Sequence, residues 1–555
     1  KLSLLLVFVI SVGAINSPHG PCEVQFWPYP YSTSNGSSVI SVDPSNIQVE
    51  VITNNVRSQK IQKVIQRYQE VNFYQEIYNP TIQAFTLFVL PSPTFDENPP
   101  SIQTNESYRL SIGSVNNGTL EISSISGLVY GLETFSQLIL YSNQTQNPGW
   151  CSNVPDGYFI PQTPWLIEDS PRFRWRGLSM DTSRHYLSID VLEQNVRALA
   201  QTKMNVLHLH LTDSQSFPVE FEPPLDILAK KGSYSYSQRY SIQQLQDLQK
   251  YAELWGVRII PEFDSPGHTY SWGYAYPEII VCKDTQPNWG QNCNEPPCGQ
   301  VNPTLNQTYN IVHGIMNQVG SIFQDEFMHL GYDEVNFNCW NTSQEIVNWM
   351  EENNMNSQQL LQYYITNQLQ GLPSGKRAIF WEEVFDEGLT IPPDSVIQIW
   401  NNLKEFTNIL ENSNNYVLLS NSNAWYLDCG QGNFVSRKAS WCEYNSWQNI
   451  YVNEPFKLVK KPIPQNYIDR TYGGEVAIWG EMADNSNILQ EVWPRAAAGG
   501  ERLWSKSSFD NPIEALPRIL QHRERLVNRG IPASPLQPLW CNYNPSHCNP
   551  NHEQF

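Results

Sequence analysis

Two adjacent carboxylates, Asp333 and Glu334, end an apolar run in the segment FMHLGYDEVNF, residues 327–337. Like charges that share a site repel, and this repulsion raises the proton affinity of one of them. Cleavage of a glycosidic bond requires such an acid, because the leaving oxygen takes a proton while a second group stabilises the developing sugar cation. The alternative is a solvated strand end without chemistry, and the pair alone does not decide between the two.

The elements that must position this pair are eight short apolar runs that recur between helical segments. A helix is predicted between the second and third runs, with a capping box of Ser241 and Gln244 at its start and Gly256 after its end. Eight buried strands with crossover helices predict a closed (β/α)8 TIM barrel, whose reactive groups lie at the carboxyl ends of the strands. The runs are FRWRGLSMDTSR, MNVLHLHLTD, VRIIPEFDSPGH, FMHLGYDE, RAIFWEEV, SVIQIWN, YVLLSNSN and VAIWGEM.

A smaller domain is predicted ahead of the barrel. Strand-like runs alternate there with helical patterns near residues 57–70 and 127–141, which is typical of an α+β domain. The stretch NPGWCSNVPDGYFIPQTPW, rich in Pro and Gly, is interpreted as the exit into the next domain. The predicted strands are Ile47–Val51, Phe85–Leu90, Tyr108–Ile112 and Thr119–Ile122.

The first residues, KLSLLLVFVISVGAIN, combine one Lys, an apolar run and small residues like those at a cleavage site. We expect a signal peptide over 1–16, the α+β domain over 17–168, and the barrel with a C-terminal extension over 169–555. A secretory route leads to a lysosomal or an extracellular destination. No later stretch approaches the ~20 apolar residues of a membrane span.

Ten cysteines are an even number, and in an oxidising compartment they indicate disulfides. Local spacing favours Cys293–Cys298, Cys429–Cys442 and Cys541–Cys548. This leaves four cysteines for longer-range pairing, namely Cys22, Cys151, Cys282 and Cys339. Six sequons are consistent with a secreted glycoprotein; they lie at Asn35, Asn105, Asn117, Asn143, Asn306 and Asn341.

The charge balance excludes some partners. With 34 Lys and Arg against 54 Asp and Glu, the formal net charge is −20, which repels nucleic acid and anionic lipid surfaces. We therefore expect neither nucleic acid nor a membrane as a partner.

The 18 Trp and 28 Tyr are many for a chain of this size, and some of them are expected to serve a ligand.

Seven segments at the strand ends resemble the β-N-acetylhexosaminidases of glycoside hydrolase family twenty, in the eukaryotic lysosomal and secreted branch. The resemblance covers about residues 170–510. It implies removal of terminal, non-reducing, β-linked N-acetylglucosamine or N-acetylgalactosamine, with no cofactor and no metal. The segments are DTSRHYLS, LHLTDSQSFP, FDSPGHT, HLGYDEVNFNCW, FWEEVFD, WYLD and the stretch from GGEVAIWGEMADNSN to WPRAAAGGERLW.

The resemblance assigns the catalytic roles. Glu334 matches the general acid/base, and Asp333 matches the residue that orients the 2-acetamido group of the substrate. The acetamido oxygen then attacks the anomeric carbon in place of an enzyme nucleophile, which is the substrate-assisted route. His268 matches a residue that tunes Glu334, and Tyr426 matches the hydroxyl that binds the acetamido carbonyl.

The substrate-binding roles also follow from the resemblance. Arg184 matches the residue that grips ring hydroxyls, and Asp213 matches the polar partner of His268. Aromatic walls are implied at Trp381, Trp400 and Trp479. The outer hydroxyls are implied to bind Asp428 and Glu481, which would make the enzyme exo-acting. Family members often form dimers, so a homodimer is expected.

Each assignment has a plainer alternative. Tryptophans at strand ends are more often core than sugar platform, and Tyr426 could cap a core. Arg184 could belong to a structural ion pair. His208 and His210, in LHLHLTD, are interpreted as packed, hydrogen-bonded imidazoles rather than as metal ligands.

Two positions depart from the family pattern. Tyr332 stands where a second Gly is usual before the Asp-Glu pair, so its ring could fill the pocket floor or shift the strand. Cys429 follows Asp428 where relatives that accept negatively charged substrates have an Arg after an Asn, which favours neutral sugars. Two rival functions stay open. One is a metal-dependent amidohydrolase, since those barrels also use His-x-His on a strand, and it would use His208, His210, His268 and Asp264. The other is a non-catalytic sugar-binding protein that keeps the aromatic walls but has lost turnover through Tyr332.

Overall fold

The chain begins with a mixed seven-stranded sheet. The computed structural model describes residues 23–52, 59–72, 84–142, 156–283, 285, 287–436 and 440–548. The predicted signal peptide, Cys22, Cys151 and Asn143 lie outside these ranges. The strand order is β1-β7-β4-β5-β3-β2, with β6 paired to β7. The strands are β1 Ser32–Ser41, β2 Ile47–Val51, β3 Phe85–Asp96, β4 Tyr108–Ile112, β5 Asn117–Ser124, β6 Leu140–Ser142 and β7 Gly157–Asp169.

The four strands and two helices predicted for this region are present, with the helices at Gln59–Asn72 and Ile125–Leu138. One interpretation was wrong: the last part of the stretch predicted as an exit segment belongs to β7, which pairs with β1, β4 and β6. From Pro161 to Asp169 its residues alternate between buried and at least partly exposed positions, so the strand period is present despite Pro161 and Pro164. The Pro and Gly content concealed that period.

Eight parallel strands then close into a barrel. Their order around the ring is β10-β11-β12-β13-β14-β15-β8-β9, and β9 pairs with β10 to complete it. All eight predicted runs are barrel strands, so the predicted fold class is confirmed. The strands are β8 Trp175–Asp181, β9 Val206–Thr212, β10 Arg258–Phe263, β11 Phe327–His329, β12 Arg377–Trp381, β13 Val396–Ile399, β14 Tyr416–Leu419 and β15 Thr471–Ile478.

Helices surround the barrel and follow it. The predicted capping box is present, since Ser241 and Gln244 bond reciprocally at the start of Ile242–Glu253. The helices from β8 onward are Ile189–Gln201, Asp226–Gly232, Ile242–Glu253, Asn306–Ile322, Phe337–Asn341, Gln344–Glu352, Ser357–Gln368, Glu383–Asp386, Leu403–Asn412, Ser422–Trp425, Trp447–Val452, Gln465–Arg470, Ile488–Val492, Arg495–Trp504, Pro512–Asn528, Leu539–Tyr543 and Pro545–Cys548.

Buried ion pairs join the first sheet to the barrel. The Lys203 ammonium lies 2.7 Å from Asp169, and the Arg176 guanidinium lies 2.9 Å from Glu106. Trp504 donates its indole N–H to Asp169 over 3.0 Å. We call this contact of β4, β7 and their loops with the amino-terminal end of the barrel the seam. Each of these four buried charges in the seam therefore has an opposite charge beside it.

Four disulfides lie in the described residues. The three predicted from local spacing are present, and Cys282 pairs with Cys339 across a separation of 57 residues. The five sequon asparagines that the structure describes are all exposed. In the described part of the chain, no helix has the length and apolar character of a membrane span.

Candidate active site

A pocket of about 340 Å³ opens at the carboxyl ends of the barrel strands. Ten of the eleven predicted site residues line it, and Asp213 lies directly behind. Because parallel strands all end at this rim, residues separated by up to 300 positions in sequence meet here. The predicted residues at the wall are Arg184, His268, Asp333, Glu334, Trp381, Trp400, Tyr426, Asp428, Trp479 and Glu481.

Asp333 and Glu334 follow β11 and occupy different environments. The Asp333 side chain is 13 % exposed and that of Glu334 is 28 % exposed. Burial raises the pKa of Asp333. Burial would also raise the pKa of Glu334, but hydrogen bonding and charge from His268 outweigh it and lower that pKa. The left-handed backbone of Glu334, with φ +54°, is an uncommon conformation for a non-glycine residue and is a form of strain found at functional sites.

A further carboxyl group, Asp264, lies against Asp333. Oδ2 of Asp264 and Oδ1 of Asp333 are both buried without a donor from elsewhere in the described residues. Burial and the charge of Asp333 raise the pKa of Asp264 well above its usual range. The arrangement is satisfied when Asp264 keeps its proton and donates it to Asp333. From the sequence, Asp264 was expected only as a member of the rival metal cluster, and its contact with Asp333 was not predicted.

His268 joins the acid to Asp213. Its Nδ1 lies 3.0 Å from Oδ1 of Asp213, and its Nε2 lies 3.4 Å from Oε2 of Glu334. Burial alone would lower the pKa of His268, but Asp213 and Asp333 raise it well above the usual value. His268 also has a positive φ of +53°, which aims its ring between the two carboxylates.

Arg184 is held by carboxylates on several sides. Nε and Nη2 donate to Oε1 of Glu295 over 2.9 and 2.6 Å, and Nη1 lies 2.7 Å from Asp213. Glu295 belongs to the loop that the Cys293–Cys298 disulfide closes, and it lines the pocket. The guanidinium therefore lies at the predicted position and also forms the ion pairs that were its plainer alternative.

Aromatic rings form the walls of the pocket. Trp381 donates its indole N–H to Glu262 over 2.8 Å, and Trp400 donates to Glu383 over 3.0 Å. The ring centroids of Trp381 and Trp479 lie 6.1 Å apart, and Tyr426 is also 6.1 Å from Trp479. Trp381 and Trp400 are hydrogen-bonded at one edge, and all four rings line the cavity, which suits contact with the flat faces of a sugar.

Two further acids, Asp428 and Glu481, line the pocket. Burial raises the pKa of Asp428 to about 6 and that of Glu481 to about 8, although Arg184 opposes the shift of Glu481. Oδ1 of Asp428 accepts the backbone N–H of Trp479 over 3.3 Å. Cys429 is disulfide-bonded to Cys442, so no cation stands beside Asp428 at that position.

Tyr332 does not enter the pocket. Its side chain is 1 % exposed, its ring packs against Phe380 and Tyr364, and its hydroxyl donates to Gln368 over 2.6 Å. The ring therefore lies between the strands and the helix Ser357–Gln368, away from the pocket floor. The backbone keeps the left-handed conformation of a glycine position, with φ +81°.

His208 and His210 are buried in the barrel interior, and neither lines the pocket. His208 Nδ1 lies 2.9 Å from Glu475, and His210 Nδ1 lies 2.7 Å from Glu262. Ligand atoms of His208, Glu262 and His329 lie within 4.8 Å of one another, but their nitrogens face carboxylate oxygens as hydrogen-bonded pairs. This agrees with the interpretation as packed imidazoles and separates these residues from the pocket where an amidohydrolase would bind its substrate.

Several residues at the mouth of the pocket were not predicted. They come from the segment between Cys429 and Cys442, the loop of Glu295, and the chain after Glu481, which carry no strand-end signal. The apolar members are substantially exposed. The apolar members are Phe434, Val435, Trp441 and Met482. The polar members are Asn294, Glu295, Gln431, Asn433 and Ser440.

A closed (β/α)8 barrel, paired carboxylates at its mouth and an aromatic pocket define a barrel glycoside hydrolase. Residues 173–507 match the family described as "Glycosyl hydrolase family 20, catalytic domain", and residues 26–138 match "beta-acetyl hexosaminidase like". The chain belongs to glycosyl hydrolase family 20.

Relatives of similar length support this assignment. The beta-hexosaminidase subunit beta of Rattus norvegicus is 33% identical over 97% of this chain and 96% of its own length. Beta-hexosaminidase 1 of Arabidopsis thaliana is 31% identical over 98% and 97%. A chitobiase structure from Flavobacterium johnsoniae superposes with a TM-score of 0.74 at 24% identity, covering 92% of this chain and 73% of that one, which shows the shared fold.

Proposed function

We propose that this pocket removes single β-linked N-acetylglucosamine or N-acetylgalactosamine residues from the non-reducing ends of glycans. The observation that supports this most is the unequal pair, Asp333 and Glu334, at one point of the wall. Both carboxylates line the pocket, but Asp333 is the more buried and lies against Asp264, whereas Glu334 is more exposed and lies beside His268. The raised pKa belongs to Asp333 and not to Glu334, which differs from the expectation for a proton donor. We infer that the proton delivered by Glu334 is shared with His268, whose pKa is raised and whose Nε2 lies 3.4 Å from Glu334.

In the first step Glu334 protonates the leaving oxygen while the acetamido oxygen of the substrate attacks the anomeric carbon. The product is an oxazolinium ion and the free leaving alcohol. Asp333 accepts the acetamido N–H and stabilises the positive charge that grows on that group, and the Tyr426 hydroxyl binds the carbonyl side. In the second step Glu334, now a carboxylate, takes a proton from water as the water opens the oxazolinium ring. An internal nucleophile gains a large proximity advantage.

His268 tunes Glu334 and Asp213 holds His268, while Arg184 and the outer acids bind the remaining hydroxyls. Asp428 and Glu481 bind the outer hydroxyls at the non-reducing end of the sugar, which supports exo action on one terminal sugar. Trp381, Trp400 and Trp479 enclose the ring and its acetamido methyl group. The acids at this end, with Cys429 in a disulfide, favour neutral over negatively charged sugars.

A pair of small substrates tests the proposal. A chromogenic N-acetyl-β-glucosaminide is expected to be hydrolysed, and the matching β-glucoside, which lacks the amide, is expected to react at least about 10³-fold more slowly because it has no internal nucleophile. Equal rates on the two would contradict the substrate-assisted route. Binding of the amino sugar without turnover would instead favour the sugar-binding alternative, and loss of activity with a strong chelator would favour the amidohydrolase.

We also propose that the enzyme passes through the secretory pathway to a lysosomal or extracellular destination and that it forms a homodimer. The four disulfides and the exposed sequon asparagines support an oxidising route. Sedimentation of the purified protein would test the dimer, and glycosidase-sensitive electrophoretic mobility would test the route.

A further inference from the structure

A chain of alternating acids and imidazoles leads from the barrel interior to the pocket. Glu262 Oε2 lies 2.7 Å from Nδ1 of His210, and Nε2 of His210 lies 2.8 Å from Oδ2 of Asp213. Asp213 Oδ1 lies 3.0 Å from His268, which lies 3.4 Å from Glu334. Five titratable side chains on three strands and the loops that follow them thus form one continuous path.

His210 is a cation in this path. Both of its ring nitrogens face carboxylate oxygens at hydrogen-bond distance, so both must carry a proton to donate. Its side chain is 1 % exposed and those of Glu262 and Asp213 are fully buried. Burial alone would lower the pKa of His210, and the two flanking acids raise it well above the usual value.

We propose that His210 and Glu262 are positioning residues for Glu334: their buried ion pair fixes Asp213, Asp213 fixes His268, and His268 governs the proton on the acid. The inference rests on the proposed role of Glu334. It extends the path behind the pocket by two residues that never touch the substrate.

Other charged groups face the same path. Arg184 lies 2.7 Å from Asp213, and Asp264 and Asp333 lie near His268. Glu295 lies near Asp213 and His268. At the buried end, Glu262 also contacts His208, His329 and Trp381. None of these supplies a second cation that bonds directly to both Glu262 and Asp213, as His210 does.

The sign of the effect follows from electrostatics. Removal of the His210 charge withdraws a cation from a path that holds one mobile proton between His268 and Glu334, so that proton becomes harder to remove. The alkaline limb of the kcat/KM profile should then move to higher pH by roughly half to one unit. A role limited to packing would lower kcat without moving the limb.

The experiment compares full-length His210→Gln, His208→Gln and the double variant His210→Gln with Glu262→Gln on an N-acetyl-β-glucosaminide. His208→Gln is the matched control, because it lies on the same strand, is equally buried and bonds to acids, but makes no contact with Asp213. The single His210 variant should shift the limb. The His208 variant should not, and the double variant, which loses one charge of each sign, should return the limb close to that of the wild type.

Thermal unfolding of each variant shows that it is folded. An unmoved limb in His210→Gln, or an equal shift in His208→Gln, would overturn the proposal. Glu334→Gln, measured beside these variants, distinguishes failure of the proposed role of Glu334 from failure of the proposed role of His210 and Glu262. If Glu334→Gln keeps full activity, the role of Glu334 is wrong. If Glu334→Gln is inactive but the alkaline limb of His210→Gln does not move, only the role of His210 and Glu262 is wrong.

Discussion

The seam buries unlike charges in pairs, whereas the pocket holds carboxyl groups that face each other in addition to ion pairs such as that of Arg184 with Asp213. At the seam Lys203 faces Asp169, and Arg176 faces Glu106. In the pocket Asp333 faces Asp264, and Asp428 lies near Glu481. Unlike charges satisfy each other and need nothing further, whereas like charges need a proton or a ligand between them. Contact between like charges therefore distinguishes the pocket from the seam.

The largest effect is expected from Glu334→Gln. An amide cannot protonate the leaving oxygen, so kcat/KM should fall by about 10²- to 10⁴-fold on a substrate with a poor leaving group. The loss should be much smaller on a dinitrophenyl glycoside, whose leaving group needs no proton. Equal losses on both substrates would show that Glu334 does something other than donate a proton.

Asp333→Asn should lower kcat/KM by roughly 10²- to 10³-fold, because the charge that stabilises the activated acetamido group is lost. Unlike Glu334→Gln, it should affect substrates with good and poor leaving groups alike. Asp264→Asn is the companion variant, since it keeps a donor beside Asp333 and should cost less. A leaving-group dependence in Asp333→Asn would contradict the division of roles.

At the seam, Lys203→Met should lower the free energy of unfolding by about 3–5 kcal/mol, because it leaves Asp169 buried without its cation. The kinetic constants of the folded enzyme should stay close to wild type. Arg109→Ala is the control: Arg109 lies 3.4 Å from Glu168 in an exposed pair, and its loss should matter by about 0–1 kcal/mol. Chemical denaturation measures the free energy of unfolding of both variants. A change in kcat in Lys203→Met would contradict a purely structural role for this ion pair.

The pH dependence of stability should reveal the crowded acids of the pocket. The pKa of Glu481 is raised by burial to about 8 in the folded protein and is about 4.3 when unfolded. The folded state therefore holds more protons between these values, and stability falls as pH rises from about 4 through 8. Without substrate, Tm should fall by a few degrees between pH 5 and 8, and Glu481→Gln should flatten this slope. An unchanged slope in Glu481→Gln would show that groups other than Glu481 cause the pH dependence of stability.

The smallest effect is expected from Tyr332→Phe. It removes the hydroxyl that donates to Gln368 and should lower the free energy of unfolding by about 1 kcal/mol. Because the ring lies outside the pocket, kcat/KM should change by less than about threefold. A larger change in kcat would mean that the strand end beneath Asp333 depends on this hydroxyl.

The barrel could be predicted from the sequence because each strand is a short apolar run that ends in polar or aromatic residues. This pattern is local in sequence, so it can be recognised without knowing which strands pair. The strand β7 was missed for the opposite reason, since Pro161 and Pro164 masked its alternation. Element bounds such as the early start of β15 at Thr471 also depend on pairing partners that no local pattern contains.

The residues at the strand ends could be placed for the same reason, since parallel strands bring their carboxyl ends to one rim. Glu295 could not, because it reaches Arg184 from a loop whose path depends on the Cys293–Cys298 and Cys282–Cys339 disulfides. The proton partner of Asp333 was also missed. Asp264 stands in the quoted FDSPGHT segment, but only three-dimensional distance reveals that two buried acids meet.

Arg184 is rigid before any sugar arrives. Its guanidinium is engaged by Glu295 and Asp213 and lies 5.3 Å from the Trp479 ring centroid, so the loss of rotamer freedom, about 1–2 kcal/mol for an arginine, has already occurred in the free protein. With the proposed role of Arg184 in binding the sugar, recognition at this point would be an exchange reaction, in which sugar hydroxyls compete with the Glu295 carboxylate for the same N–H groups. Discrimination between epimers then depends on the difference between two sets of hydrogen bonds, and a shift in the loop of Glu295 would change selectivity without any change in the residues that touch the sugar.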